Sequence, residues 1–302
     1  AGTQGGSLYD STVPEYYYRV SNGVYSNGSG CGNETATNHV MFKSYVIESL
    51  KHWMLDYHIN GFRFDLMAIH EKDVMKEVYD ELYKIDPNVM VYGEPWDGGG
   101  TKADPATTAA VKSDTNPMGA GAFDDDFRNA IKGGEFGGFG HGQVQGTFKD
   151  AKIVAGLQGS NCTRNKTGNS ALSIHYVECH DNYTLFDKLA MSYLNKTTFA
   201  GDLFAAIGAD GLKAVKAQNK LAAAYVFLAQ GTPFINGGQE FLRTKKGDHN
   251  SYQSDDTING IDLSFKKKYS DVVSVYKGLI ALRKDFSAFR YAKTAKAETV
   301  SE

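Results

Sequence analysis

Cysteine is scarce in this 302-residue chain: Cys31, Cys162 and Cys179 are odd in number and far apart. That excludes a disulfide framework, and the spacing offers no paired zinc-ligand motif, so the three read as ordinary thiols. Long apolar runs are also missing. None approaches the roughly 18 residues that a bilayer-spanning helix needs, so no membrane partner is expected. Charge of one sign is nowhere concentrated: 32 basic against 35 acidic residues leave a formal net charge of -3. This removes the electrostatic case for nucleic acid and favours neutral or small partners. The opening stretch AGTQGGSLYD has neither the basic start nor the apolar middle of a signal peptide. No internal repeat or clear linker is visible, and the compartment is left open between cytoplasm and secretion. Six Asn-x-Ser/Thr triplets begin at Asn27, Asn33, Asn161, Asn165, Asn182 and Asn195; they are read as a product of composition.

What is present is a hydrophobic share of 41%, enough for the core of one large α/β domain or two small ones. From residue 39 onward helical and strand-like segments alternate. MFKSYVIESLKHWMLDYH places Phe42, Val46, Leu50, Trp53 and Tyr57 on one helical stripe, and the strand GFRFDL follows. EKDVMKEVYDELYKID repeats the pattern with Val74, Val78, Leu82 and Ile85, stops before Pro87 and leads into NVMVYGEPW. ALSIHYVECHD and TPFIN read as further strands, LKAVKAQNKLAAAYVFLAQ and DVVSVYKGLIALRKDF as helices. Residues 97 to 170, rich in Gly, Asp, Asn and Thr, read as loops that would shape a cleft. Strands separated by single helices imply parallel pairing, in a doubly wound sheet or a (β/α)8 barrel. Asp65, Glu94 and the His180–Asp181 pair each end an apolar run. Chemistry spread over the ends of several strands favours the barrel.

GFRFDLMAIH poses a specific problem, because an apolar strand here carries an ion pair. Side chains two apart share a face, so Arg63 and Asp65 point one way while Phe62, Phe64 and Leu66 point the other. Asp65 and Glu94 are 94 - 65 = 29 residues apart, one strand–helix–strand unit, which predicts neighbouring strands. Two carboxyls on adjacent strand ends can flank a bond at roughly 5 to 5.5 Å, the arrangement of a retaining glycosidase. Arg63 is expected to lower the pKa of Asp65, as a nucleophile requires, and the Pro95–Trp96 flank to raise that of Glu94, as a proton donor requires. Alone, an Arg-x-Asp pair is more often a structural salt bridge; the joint pattern with Glu94 points to chemistry. Cys179 and His180, adjacent on an expected strand, should face opposite sides and form no thiolate–imidazole pair. GEPWDGGGTK lacks the spacing of a phosphate loop, and no His-Glu-x-x-His site exists.

DYHINGFRFDLMAIH, MVYGEPWDGG and HYVECHDNYTLFDKL resemble, in order, the second, third and fourth signature regions of the α-amylase superfamily of glycoside hydrolases. VPEYYYRV, YSNGSGCGNETA, AFDDDFRNAIKGG and GGQEFLRTKKGDHNSYQSDDTINGIDLS are similar to the type I pullulanases, the debranching members. The resemblance implies a (β/α)8 barrel cleaving α-1,6 bonds in pullulan and branched α-glucans such as starch, glycogen and limit dextrins, with retention of configuration. On the matching positions Asp65 would be the nucleophile, Glu94 the general acid/base and Asp181 the carboxylate that grips sugar hydroxyls. Arg63 and His180 would orient the nucleophile and bind the sugar, and Trp96 and Tyr16–Tyr18 would offer apolar faces. Asp248, Asn250 and Tyr252 would contact sugar near the cleft, where a glycan on Asn182 would block the mouth. No cofactor is required; calcium is common in the superfamily, yet no ligands are assignable.

The first signature region is absent, so residues 1–302 are expected to be one partial catalytic barrel, about strands 4 to 8, without the N-terminal strands and the C-terminal β-sandwich. Open edges would suit a fragment or a part of an assembly, inactive or impaired alone. The competing readings are a non-catalytic α-glucan-binding or structural fragment, and a neopullulanase or amylase specificity.

Overall fold

In a computed structural model of the protein, residues 7–103, 115–135, 139–159, 169–199 and 201–290 are described. Cys162, Asn161 and Asn165 lie outside them. The chain divides into two units, residues 1–123 with 167–172, and residues 124–166 with 173–302.

After a short helix (Leu8–Thr12) and a two-stranded hairpin (Val20–Ser21 with Val24–Tyr25), the main elements of the first unit run helix, strand, helix, strand, strand. Helix α1 (Val40–Tyr57) stops at His58, whose left-handed backbone (φ 57°) turns its N–H back to the Trp53 carbonyl and releases the chain into strand β1 (Gly61–Phe64). Helix α2 (Lys72–Tyr83) then delivers strand β2 (Met90–Gly93). The two strands pair in parallel, Gly61 opposite Met90 and Phe64 opposite Gly93, the neighbour relation that the 29-residue spacing predicts. A third parallel strand, β3 (Gly121–Phe123), joins β2, with Tyr92 opposite Gly121. Ile47 and Met54 of α1, Val74, Met75, Val78 and Leu82 of α2, and Val91 and Ala122 of the strands form the core, with Phe62 and Phe64 packed against it.

The predicted stripe on α1 is rotated. Phe42 is buried and Val46 and Leu50 pack on the core, but Ile47 and Met54 complete the buried face, leaving Trp53 and Tyr57 exposed. The amphipathic arc is wide enough for either edge to be the inner one, and packing against α2 selects it.

The second unit holds α3 (Asp125–Lys132), α4 (Asp150–Leu157), β4 (Ser173–His175), α5 (Leu185–Tyr193), α6 (Leu203–Leu228), β5 (Thr232–Pro233) and α7 (Ser270–Asp285). Strands β4 and β5 pair in parallel, Ile174 opposite Thr232. Phe127 and Ile131, Leu185, Phe186 and Leu189, Val215, Ala222 and Val226, and Val272 and Tyr276 pack together from the helices. Helix α6 begins nine residues before its predicted start at Leu212, capped by Asp202 and broken once at Gly208 (φ 62°). Its far end leaves carbonyls without helical donors; the buried Arg283 of α7 donates to those of Phe227 (2.8 Å) and Ala229 (2.7 Å) and to Gly231.

Reading residues 97–170 wholly as loops is therefore corrected: β3, α3 and α4 all lie there. The strand is three fully buried residues without alternation, and Gly119 just before it and Gly121 at its start hide it. A signal for α3 was present in Asp124-Asp125-Asp126. Asp124 caps the helix by accepting the Phe127 N–H, and the acidic first turn complements the helix dipole.

Candidate active site

Asp65 and Glu94 both stand one residue beyond the C-terminal ends of paired strands. Arg63 joins them: Nη1 bonds Asp65 and Nη2 lies 2.6 Å from Glu94 Oε1. The ion pair that GFRFDLMAIH raised is thus three-membered, and the guanidinium holds both carboxyls near one point. Their surroundings differ sharply. The Asp65 side chain is 69% exposed and the Glu94 side chain 8%, so one carboxyl is open to an incoming molecule and the other is sheltered.

Beside the apolar flank expected from Pro95 and Trp96, Glu94 has polar neighbours. Its Oε2 accepts the Leu66 N–H at 2.9 Å while Oε1 faces Arg63, the pattern of an acceptor-only carboxylate. Leu66 meets it from a left-handed backbone (φ 44°), a conformation rare for a branched side chain and found at sites that other contacts hold in place. The approach needs Gly93: a Cβ there would fall 2.6 Å from the Phe64 carbonyl oxygen and 2.8 Å from Met67 Cβ. Trp96, partly buried, follows in the same loop.

In the second unit His180 and Asp181 lie in a turn after β4. Both side chains are more than half exposed, with His180 Nε2 3.5 Å from the Asp181 carboxylate. The strand ends at His175, so strict alternation no longer applies, and Cys179 Sγ comes within 3.2 Å of His180 Nδ1. This corrects the expectation that the two face apart. The turn is tied down by groups that sequence reasoning missed. Glu178, 1% exposed, accepts the Leu185 N–H (2.7 Å) and an Asn236 side-chain N–H (3.0 Å). Burial pushes its pKa up to about 7. Asp187, fully buried, accepts from Lys245 N (2.8 Å), Gly247 N (3.1 Å) and the Thr244 hydroxyl. Desolvation raises its pKa against these bonds. Lys245 Nζ donates to the His180 carbonyl at 3.3 Å. A buried polar side chain at helical or strand spacing was the available signal, since each needs a partner.

Asp248 follows from that clamp, but both its oxygens serve its own loop, accepting Asn250 N–H and Ser254 O–H at 2.8 Å each. Those bonds, the backbone one foremost, lower its pKa. Asn250 and Tyr252 are exposed, Tyr252 by 75%. Of the tyrosines in the first unit, Tyr18 is buried with its hydroxyl on Ser7, and Tyr16 and Tyr17 pack on His39 and Phe42. Among the described residues no helix is long and apolar enough to cross a membrane, and no group of three or more His, Cys, Asp or Glu side chains could hold a metal ion.

No family model matches the chain. Its sequence is 35% identical over 294 residues to the pullulanase of Bacillus subtilis (strain 168), covering 96% of this chain and 39% of that protein. The solved pullulanase from Bacillus acidopullulyticus superimposes with a TM-score of 0.85 at 38% identity, over 94% of this chain and 33% of the other. A pullulanase from Paenibacillus barengoltzii, in complex with maltohexaose and α-cyclodextrin, gives 0.82 at 34% identity, over 95% and 43%. The chain thus spans about two fifths or less of the relatives it matches. Those relatives and the parallel strand–helix alternation agree with the partial (β/α)8 barrel that the sequence predicts.

Proposed function

Over nearly its whole length this chain belongs with the type I pullulanases, and from that premise we propose that it carries the retaining glycosidase machinery for α-1,6-glucosidic bonds. The observation that supports this most is the Arg63 guanidinium ion-paired with both Asp65 and Glu94 at adjacent strand ends. Asp65, exposed and ion-paired, attacks the anomeric carbon and forms a glycosyl ester. Glu94 delivers a proton to the departing glycosidic oxygen, then takes one from the water that cleaves the ester. Because Oε2 accepts the Leu66 N–H and Oε1 lies against the Arg63 guanidinium, one oxygen must leave its neighbour for the proton to reach the substrate. Asp181 and His180 bind vicinal hydroxyls through charge-assisted hydrogen bonds that strengthen as the ring flattens. The substrates are pullulan and branched α-glucans.

The test is hydrolysis of pullulan by the purified chain, wild type and Asp65→Asn. Impaired turnover to maltotriose, as a partial barrel would give, that disappears in the variant is the expected result; panose would mean a neopullulanase specificity. Intact pullulan with retained glucan binding would replace the hydrolase by an α-glucan-binding role.

A further inference from the structure

Glu178 is costly to the fold. Its carboxyl is buried among helices, outside the candidate catalytic residues, yet it touches three segments that meet at the His180–Asp181 turn. It extends from the chain just after β4, accepts the first N–H of α5 and is bonded by Asn236, three residues past β5. The five residues between Glu178 and Thr184 contain His180 and Asp181 and are pinned at both ends, since Thr184 caps α5 by accepting the Asp187 N–H at 3.0 Å. Lys245 holds the middle of that segment through the His180 carbonyl.

We propose that Glu178 is a positioning residue for the His180–Asp181 turn, holding it firmly while the carboxyl keeps its proton and loosening it when the proton leaves. The inference rests on the reading of Asp181 and His180 as sugar-binding groups.

Opening of the turn and loss of the Glu178 proton are linked. Charged groups face Glu178 from each packed element. Lys132 of α3 and Lys245 of the loop after β5 favour the carboxylate, and Asp187 of α5 opposes it. Tyr276 of α7 is a further titratable neighbour. Loss of water outweighs the two lysines, and the group titrates near 7 in the closed arrangement instead of 4.5. An opened turn returns the carboxyl to water and to its ordinary value, so rising pH favours opening. The protonated form fits the site: one oxygen accepts from Leu185, and the hydroxyl donates to Asn236 once that amide is turned to present its oxygen. Glutamine reproduces this pattern without a titration.

Hydrogen exchange of the 302-residue chain, corrected for intrinsic rates and followed from pH 5.5 to 8.5, reads the turn directly. In the wild type, protection of amides 180–185 should fall severalfold across pH 7. In Glu178→Gln it should stay level at the low-pH value, and in Asn236→Ala, which removes one partner, it should be lower throughout. Maltohexaose affinity, titrated by calorimetry, should weaken severalfold above pH 7 in the wild type and stay flat in Glu178→Gln. Superimposable exchange profiles for wild type and Glu178→Gln would overturn the proposal. Absence of maltohexaose binding at every pH would instead remove the sugar-binding reading, while the exchange profiles still decide the role of Glu178.

Discussion

The two units hold their candidate site residues by opposite means. In the first, one arginine on β1 reaches two carboxyls through side chains alone, and the pair is local in sequence and register. In the second, exposed His180 and Asp181 are flanked by buried carboxyl groups: Glu178 accepts the nearby Leu185 N–H and a side-chain N–H of distant Asn236, and Asp187 accepts the backbone N–H groups of distant Lys245 and Gly247. Their titrating interiors differ in the same sense. His70 Nδ1 of the first unit lies 3.2 Å from the Thr37 hydroxyl oxygen, whose proton goes to Glu71, and desolvation together with the Arg19 guanidinium pushes the His70 pKa down from 6.5 to about 4. Glu178 is pushed up. A desolvated base is weakened by acid and a desolvated acid by alkali, so one chain contains two regions with opposed pH responses.

That contrast can be broken most severely at the carboxyls of the first unit. Asp65→Asn should reduce pullulan hydrolysis to background, and Glu94→Gln should lower it at least about a hundredfold, measured as reducing ends released. Neither change should unfold the chain, because Arg63 keeps one partner in each variant. In the second unit the balance reverses. Asp187→Ala leaves the N–H groups of Lys245 and Gly247 without an acceptor in the interior, and urea denaturation should show a loss of about 3 kcal/mol. If Asp187→Ala proved neutral, the clamp on residues 244–247 would not be what orders that loop.

The pH responses sharpen the comparison further. The contribution linked to neutral His70 is full above about pH 6.5 and is lost as pH falls toward about 4. Amides 67–71 should therefore lose protection in acid, and His70→Gln should remove that loss. The Glu178 contribution is full below pH 4.5 and lost as pH rises through about 7. Amides 180–185 should move the other way, and parallel behaviour of the two sets would refute the contrast. The smallest effect is expected at the exposed Lys76–Asp80 pair on α2. Lys76→Ala should change the unfolding free energy by no more than about 0.5 kcal/mol, because surface pairs of this spacing contribute little.

How much could be read beforehand depended on the distance over which each feature is encoded. Arg63 and Asp65 share a face because strands have a period of two, and the 29 residues to Glu94 measure one strand–helix–strand unit; both follow from local geometry. Val74, Val78 and Leu82 were legible for the same reason. Strand β3 was not, since three residues carry no period. The face of α1 was misjudged because a broad apolar arc does not say which edge α2 will cover. The contact of Cys179 with His180 escaped because β4 ends sooner than its apolar run.

By itself the sequence determined the strand–helix alternation, the carboxyls at the strand ends and the likeness to debranching glycosidases, all of which rest on short spacings and ordered motifs. Only the tertiary structure decided that Arg63 serves Glu94 as well as Asp65, and that Glu178, Asp187 and Lys245 carry the second turn. Those contacts span up to 65 residues of chain. They arise because polar groups enclosed by packing must find partners wherever the fold brings them, and local pattern records the enclosure of such a group without the identity of its partner.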